Sequence, residues 1–217
     1  VDPLLQAIPG LREAVEKETA AREEAFLDAP EFICGVEVMP LTMEHMARLS
    51  AAQSPFICGG VPLADDCALF LWCISRDYER AIWLRDKLEA VSSKLASLAL
   101  WVARRRFVAR LRHVDSQIAI YAINAYCDSA LMDAPRGADG ASGPSYWSCL
   151  AALVFSLAQA TGWGESEIVR MPCKRLFQYM KLARKYRDPD AILFNPSDRV
   201  VSKWLEEVNS KGKANGC

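Results

Sequence analysis

Residues 77–112 contain neither proline nor glycine, and apolar side chains recur through them at Ile82, Leu88, Val91, Leu95, Leu98, Val102 and Val108. Most of these steps are three or four residues, the spacing that lines one face of an α-helix. The segment therefore reads as one long helix, with a break allowed near Ser92-Ser93. A helix of this length has to bury its apolar face against other elements, because propensity alone stabilises an isolated helix poorly.

The neighbouring segments read the same way. Residues 11–27 are rich in Ala and Glu and favour helix. Thr42 is placed to cap a helix reaching about Ala52. Residues 54–62 hold two prolines and two glycines and read as a loop. A mostly apolar helix starts at Asp65 or Asp66 and runs through Cys73. Asp115 caps another over about 114–131. Further helices are expected from about Ser145 to Gly162, from Glu165 or Ser166, from Pro172 at a first helical position to about Lys185, and from Asp198 to about Asn209. Only Phe32-Ile33-Cys34-Gly35-Val36-Glu37-Val38-Met39 alternates enough to suggest a strand or extended segment. The predicted fold class is all-α: a multi-helix globular bundle with at most a short β segment near residues 31–39.

Asp133 to Pro144 carries Gly, Pro, Ala and Asp with almost no bulky side chain, and reads as a flexible linker. It divides a helical region over 1–132 from a second over 145–217, both of which can still belong to one domain. The tail from Lys211 to Cys217 is expected to fray.

Hydrophobic residues make up 52% of the chain and charged residues 24%, which excludes a disordered polymer. No apolar run reaches the roughly 20 residues of a membrane span. Tyr146–Ala160 comes nearest, and it carries Ser148, Ser156 and Gln159. Net charge is −1 and the pI about 6.2, so nothing global selects nucleic acid or an anionic membrane.

The eight cysteines are Cys34, Cys58, Cys67, Cys73, Cys127, Cys149, Cys173 and Cys217. Most lie in apolar helical patterns, where a thiol behaves as a small hydrophobe. The opening Val1-Asp2-Pro3 lacks the cationic flank and apolar run of a secretory signal. Reduced thiols in a reducing compartment are expected. No Cys-x2-Cys pair occurs, the histidines are His45 and His113, and Gly59-Gly60 has no phosphate-loop context. Adjacent carboxylates such as Asp65-Asp66 diverge on a helix and make no acid–base dyad. The expectation is a chain with no metal, no cofactor and no catalytic residues.

Two basic clusters stand out. Arg104, Arg105, Arg106, Arg110 and Arg112 form an anion or acidic-partner patch, with a solvated helix face as the plainer reading. The second runs from Lys174 and Arg175 through Lys181, Arg184, Lys185 and Arg187, partly at a helix C-terminus where cations are favoured. The acidic N-terminal helix could pair with the basic middle in another copy, favouring self-association. Most tryptophans lie on apolar faces and are expected in the core. Trp163 sits on a turn between helices and, with Phe177, Tyr179 and Trp204, is a candidate partner-binding residue.

Two segments carry a resemblance. One is Cys34-Gly35-Val36-Glu37-Val38-Met39-Pro40-Leu41-Thr42-Met43-Glu44-His45-Met46, with Ser54-Pro55-Phe56-Ile57-Cys58-Gly59-Gly60 and Leu69-Phe70-Leu71-Trp72 following. The other is Gly162-Trp163-Gly164-Glu165-Ser166-Glu167-Ile168-Val169-Arg170-Met171-Pro172, with Leu176-Phe177-Gln178-Tyr179 following. Together they resemble tail assembly chaperones of phages and prophages, over less than half of the chain. The resemblance implies a small, helical, non-enzymatic protein that coats the tape measure protein and recruits tail tube subunits. It implies phage tail proteins as partners, no membrane, and a location in the bacterial host cytoplasm or the virion. The alternatives are a structural or adaptor component of the particle, and a helical nucleic-acid-binding regulator using Arg104–Arg112.

Overall fold

The computed structural model describes residues 3–27, 31–134, 149–190 and 196–214. Helices dominate, as the periodicity requires. In chain order they are α1 (Pro3–Ala7), α2 (Leu11–Glu24), α3 (Met43–Ala51), α4 (Pro55–Cys58), α5 (Ala64–Ile74), α6 (Arg76–Glu89), α7 (Ser93–Leu111), α8 (Ser116–Ala130), α9 (Cys149–Thr161), α10 (Glu165–Arg170), α11 (Cys173–Arg187) and α12 (Pro196–Ala214). Strands β1 (Glu31–Ile33) and β2 (Val36–Val38) form the one sheet among the described residues. The fold is all-α with a small hairpin where the alternation lies.

That hairpin turns through two residues, with Glu31 opposite Val38 and Ile33 opposite Val36. Cys34 and Gly35 both have positive φ, 51° and 76°. This is the turn geometry whose twist matches that of the flanking strands. A Cβ at Gly35 would meet open space, so the cost of a side chain there is conformational. Gly35→Ala is expected to lower the unfolding free energy by about 1 kcal/mol, measured by urea denaturation. No change would mean that the turn is not held in this conformation.

The core is continuous across the expected division of the chain. Val38, Leu41, Met43, Leu49, Phe70, Leu71, Ile74, Phe107 and Ile123 from the first region pack in one cluster with Leu157, Ile168, Cys173, Leu176 and Phe177 from the second. Backbone joins the two regions directly. Thr42 bridges Pro172, and the Cys173 N–H donates to the Leu41 carbonyl at 2.7 Å. Tyr126 Oη donates to the Met39 carbonyl at 2.7 Å and the Met39 N–H donates to the Ile74 carbonyl at 2.8 Å, fixing the β-hairpin to α8 and α5.

Several boundaries differ from expectation. The segment 77–112 is two helices, since the chain turns at Ala90–Ser92 and α7 folds back along α6. Within 54–62 a helical turn, α4, forms with Pro55 at its first position and Gly59 ending it at φ 82°. Pro172 precedes α11 as its cap residue. α12 begins at Pro196 and continues to Ala214, taking in residues expected to fray. Other signals hold. The Thr42 side chain accepts from the His45 N–H at 3.2 Å, and the Asp115 carboxylate accepts from the Gln117 and Ile118 N–H groups.

The linker expected over 133–144 lies outside the described residues except at its start, and that start is a correction. Asp133 is buried at 3% exposure. Its carboxylate accepts from Arg22 Nε at 3.2 Å, Arg22 Nη2 at 3.1 Å and Lys181 Nζ at 2.5 Å. Arg22 also pairs with buried Glu18, whose other oxygen accepts from the Ser197 N–H at 2.9 Å. One polar cluster thus joins α2, the residues after α8, α11 and the start of α12. Burial alone would raise the Asp133 pKa, but hydrogen bonds and charge from Arg22 and Lys181 outweigh it and hold the group below the usual carboxylate range.

Candidate functional site

The α6–α7 hairpin leaves a group of large apolar side chains uncovered, among them Trp83, Leu84, Leu95, Leu98 and Trp101. Its internal seam is built from Tyr78, Ala81, Arg85 and Leu88 on α6 and Ala96, Leu100, Ala103 and Phe107 on α7, at steps of three and four. The alanines let the helices approach closely. Between residues 82 and 106, Ala96 is the one buried position. The hairpin meets α5 and β2 near its base, where Trp72 packs edge-on to Phe107 at 5.1 Å.

A second apolar set faces outward. Leu84 on α6, Val91 in the turn, and Leu95, Leu98 and Trp101 on α7 are all exposed. Against the expectation that most tryptophans lie in the core, Trp83 and Trp101 are 62% and 54% exposed. Each carries a cation on its ring. Lys87 Nζ lies 4.9 Å from the Trp83 centroid and the Arg105 guanidinium 4.8 Å from the Trp101 centroid. The sequence contained a signal for this, because α7 bears two apolar stripes, 96–100–103–107 and 95–98–101. One neighbouring helix covers only one of them.

Beside the base of the hairpin lies a cleft of about 750 Å³ between α6, β2, α3 and the α10–α11 junction. Ile82, Trp83 and Pro172 give it apolar wall. Several of its charged side chains are engaged in place. Arg76 donates to Glu37 at 2.9 Å, Arg48 pairs with Glu44 and lies 5.0 Å from the Tyr78 ring centroid, and Arg175 donates to the Ala25 carbonyl at 2.6 Å. His45 lines the cleft but is itself buried. The Thr42 N–H donates to its Nδ1 at 3.3 Å, completing the cap of α3. Burial above all, then the nearby Arg48 charge, lowers the His45 pKa to about 4, against smaller opposing effects of Glu44 and a hydrogen bond to the Pro40 backbone. The imidazole is therefore neutral at neutral pH, with its accepting nitrogen committed to the local fold.

The thiols are similarly placed for packing. Cys67, Cys73, Cys127 and Cys173 are buried and free. Burial pushes Cys127 and Cys173 up to about 12, and Cys173 sits between the sulfur atoms of Met43 and Met46. A thiol with a raised pKa is a poor nucleophile. Among the described residues no three metal-ligating side chains come together. No helix among them is long and apolar enough to cross a membrane.

The other expected site residues separate into distinct environments. Trp163 and Tyr179 meet edge-on at 5.2 Å, half-buried, and Phe26 continues the aromatic group at 6.1 Å from Tyr179. Phe177 is 3% exposed and belongs to the core, so it is corrected from a contact residue to a packing residue. Its ring follows the inward stripe of α11 set by Cys173 and Leu176. Trp204 is half-buried on α12, which packs against α2, away from Trp163 in sequence and element. Arg104, Arg105, Arg106, Arg110 and Arg112 are all exposed. Arg110 is engaged, paired with Asp77 and lying 5.3 Å from the Phe107 ring centroid. The chain matches no protein-family model, no curated protein and no solved structure.

Proposed function

We propose that this chain is a non-enzymatic contact protein that binds a helical protein segment on its α6–α7 hairpin, in the manner of a phage tail assembly chaperone holding a tape measure protein. The observation that carries the reading is the outward apolar set on the hairpin, Leu84, Val91, Leu95, Leu98 and Trp101, left uncovered although the hairpin has its own seam. Helical partners dock on such faces through anchors at three- and four-residue steps. A long helical client offers many such contacts, so weak individual sites accumulate.

The family assignment rests on the resemblance, and one structural relation supports it. The two resembling segments, far apart in sequence, are neighbours in space, joined where Leu41 and Thr42 meet Pro172 and Cys173. They form the body from which the hairpin projects. On this reading the protein acts in the cytoplasm of a bacterial host and leaves before the particle is complete. A structural subunit would remain in the virion in fixed copy number.

Co-expression with the tail proteins of the same genome, followed by affinity purification and mass spectrometry, tests this. A long, tape-measure-like helical protein should co-purify with the wild type. The Leu98→Glu and Trp101→Glu substitutions, both on exposed positions, should each remove it while leaving the circular dichroism unchanged. Recovery of this chain alone, or its presence in purified particles, would overturn the proposal.

A further inference from the structure

We infer that α7 receives an acidic amphipathic helix, whose apolar stripe lies on Leu95, Leu98 and Trp101 and whose carboxylates meet Arg104, Arg105 and Arg106. The inference rests on the contact reading above and names the chemistry of the partner. From Ser93 to Leu111, α7 carries Lys94, Arg104, Arg105, Arg106 and Arg110 and no aspartate or glutamate. Arg110 has Asp77. No described carboxylate lies within ion-pair distance of Arg104, Arg105 or Arg106. Leu98, Trp101 and Arg105 follow one another at three and four residues and share one flank, with Arg104 and Arg106 to either side. The cation is thus continuous with the apolar stripe. Arg105 stacks on Trp101, which leaves the edge of its guanidinium free to donate to a carboxylate.

Polarity follows from the same charges. Acidic residues favour the first turn of a helix. A partner with its acidic first turn over Arg104–Arg106 runs antiparallel to α7, and its following turns cover Trp101, Leu98 and Leu95. The stretch from Leu95 to Arg106 spans about 17 Å, three turns of partner helix.

Two other occupants fit less well. A nucleic-acid backbone would use the arginines and leave Leu95 and Leu98 uncovered. A second copy paired antiparallel through Leu98 would bring its arginines to the Ala90–Lys94 turn, where Lys94 adds like charge.

Fluorescence anisotropy on the full chain decides among them. The probe is a labelled peptide of about 18 residues with glutamates in its first turn and Leu and Trp at three- and four-residue steps. Its control carries lysines in place of the glutamates. The acidic peptide should bind about ten-fold or more tightly than the lysine peptide, and salt should erode the difference. The triple variant R104Q/R105Q/R106Q should remove the preference with an unchanged unfolding midpoint, and Leu98→Glu should weaken both peptides. Equal affinities for the two peptides, a preference that survives the triple variant, or DNA duplex competing the acidic peptide away in an arginine-dependent manner would each overturn the inference. So would concentration-dependent dimerisation that Leu98→Glu abolishes in the absence of peptide. Co-purification of a tape-measure-like protein that survives the triple variant would sink this inference alone. Loss of that co-purification with the acidic preference intact would sink the tail-assembly reading alone.

Discussion

Asp133→Ala is expected to destabilise the protein by about 3 kcal/mol or more, the range found when one member of a buried charge cluster is removed. Asp133 is 3% exposed and accepts from both Arg22 and Lys181. Truncating it removes the carboxylate that the two partly buried cations share. The loss also loosens the tie between α2, the residues after α8 and α11. Chemical denaturation at neutral pH checks the magnitude, and a loss below about 1 kcal/mol would show that the cluster is as weak as a surface pair. The pH dependence follows from the direction of the shift. The Asp133 pKa is lower folded than unfolded. Its contribution is therefore fully present above the ordinary aspartate value of about 4 and is lost as pH falls through its lower folded value. The variant should lack that acid-sensitive part.

The second large effect belongs to His45 and falls at milder acidity. Its folded pKa is about 4 against an ordinary 6.5. In that interval the unfolded chain binds the proton and the folded chain resists it, so stability rises with pH. The contribution is complete above about pH 6.5 and declines as pH falls toward 4, by about 3 kcal/mol at most. His45→Gln keeps a side chain able to reach back to the Thr42 N–H, as a glutamine does at this capping position, but it has nothing to titrate. Urea unfolding of the wild type at about pH 7 and about pH 4.5 should show a loss, and the glutamine variant should lose distinctly less. Identical pH profiles for the two would show that His45 does not stay neutral in the folded state.

Both effects bear on function through the same body. His45 lines the cleft beside α6, and its cap fixes the start of α3 next to the junction of residues 41–42 with 172–173. The hairpin meets α5 and β2 at its base while its outer flank stays exposed. For the proposed contact, a rigid base and an uncovered arm are favourable, since ordering the arm during binding would cost affinity.

How much of this was legible varies with the distance over which the cause acts. Thr42 and Asp115 announced their caps because a side chain and the N–H groups two or three residues on suffice. The alternation across Cys34-Gly35 announced an extended segment for the same reason. The turn at Ala90–Ser92 was visible only as a permitted break near Ser92-Ser93. Local preference there still favours helix, and it is the packing of Ala81 and Leu88 against Ala96 and Leu100 that folds the chain back. Trp83 and Trp101 fall outside the core expected for most tryptophans because periodicity finds an apolar face without saying what covers it. Phe177 was misplaced on the surface because the helix phase of α11 is set by its contact with the Leu41 segment. Asp133 resembled a linker residue, since its partners Arg22 and Lys181 are remote in sequence.

The sequence by itself determined the helices, their caps and the one short hairpin, because those depend on spacing and on bonds between near neighbours. It also determined that α7 carries four arginines and no carboxylate. Only the tertiary structure decided which apolar stripe of α7 is buried and which is left exposed, and that Asp133 is an anchor. A stripe becomes core or surface according to what packs on it, and a charge becomes structural only when distant partners neutralise it out of water.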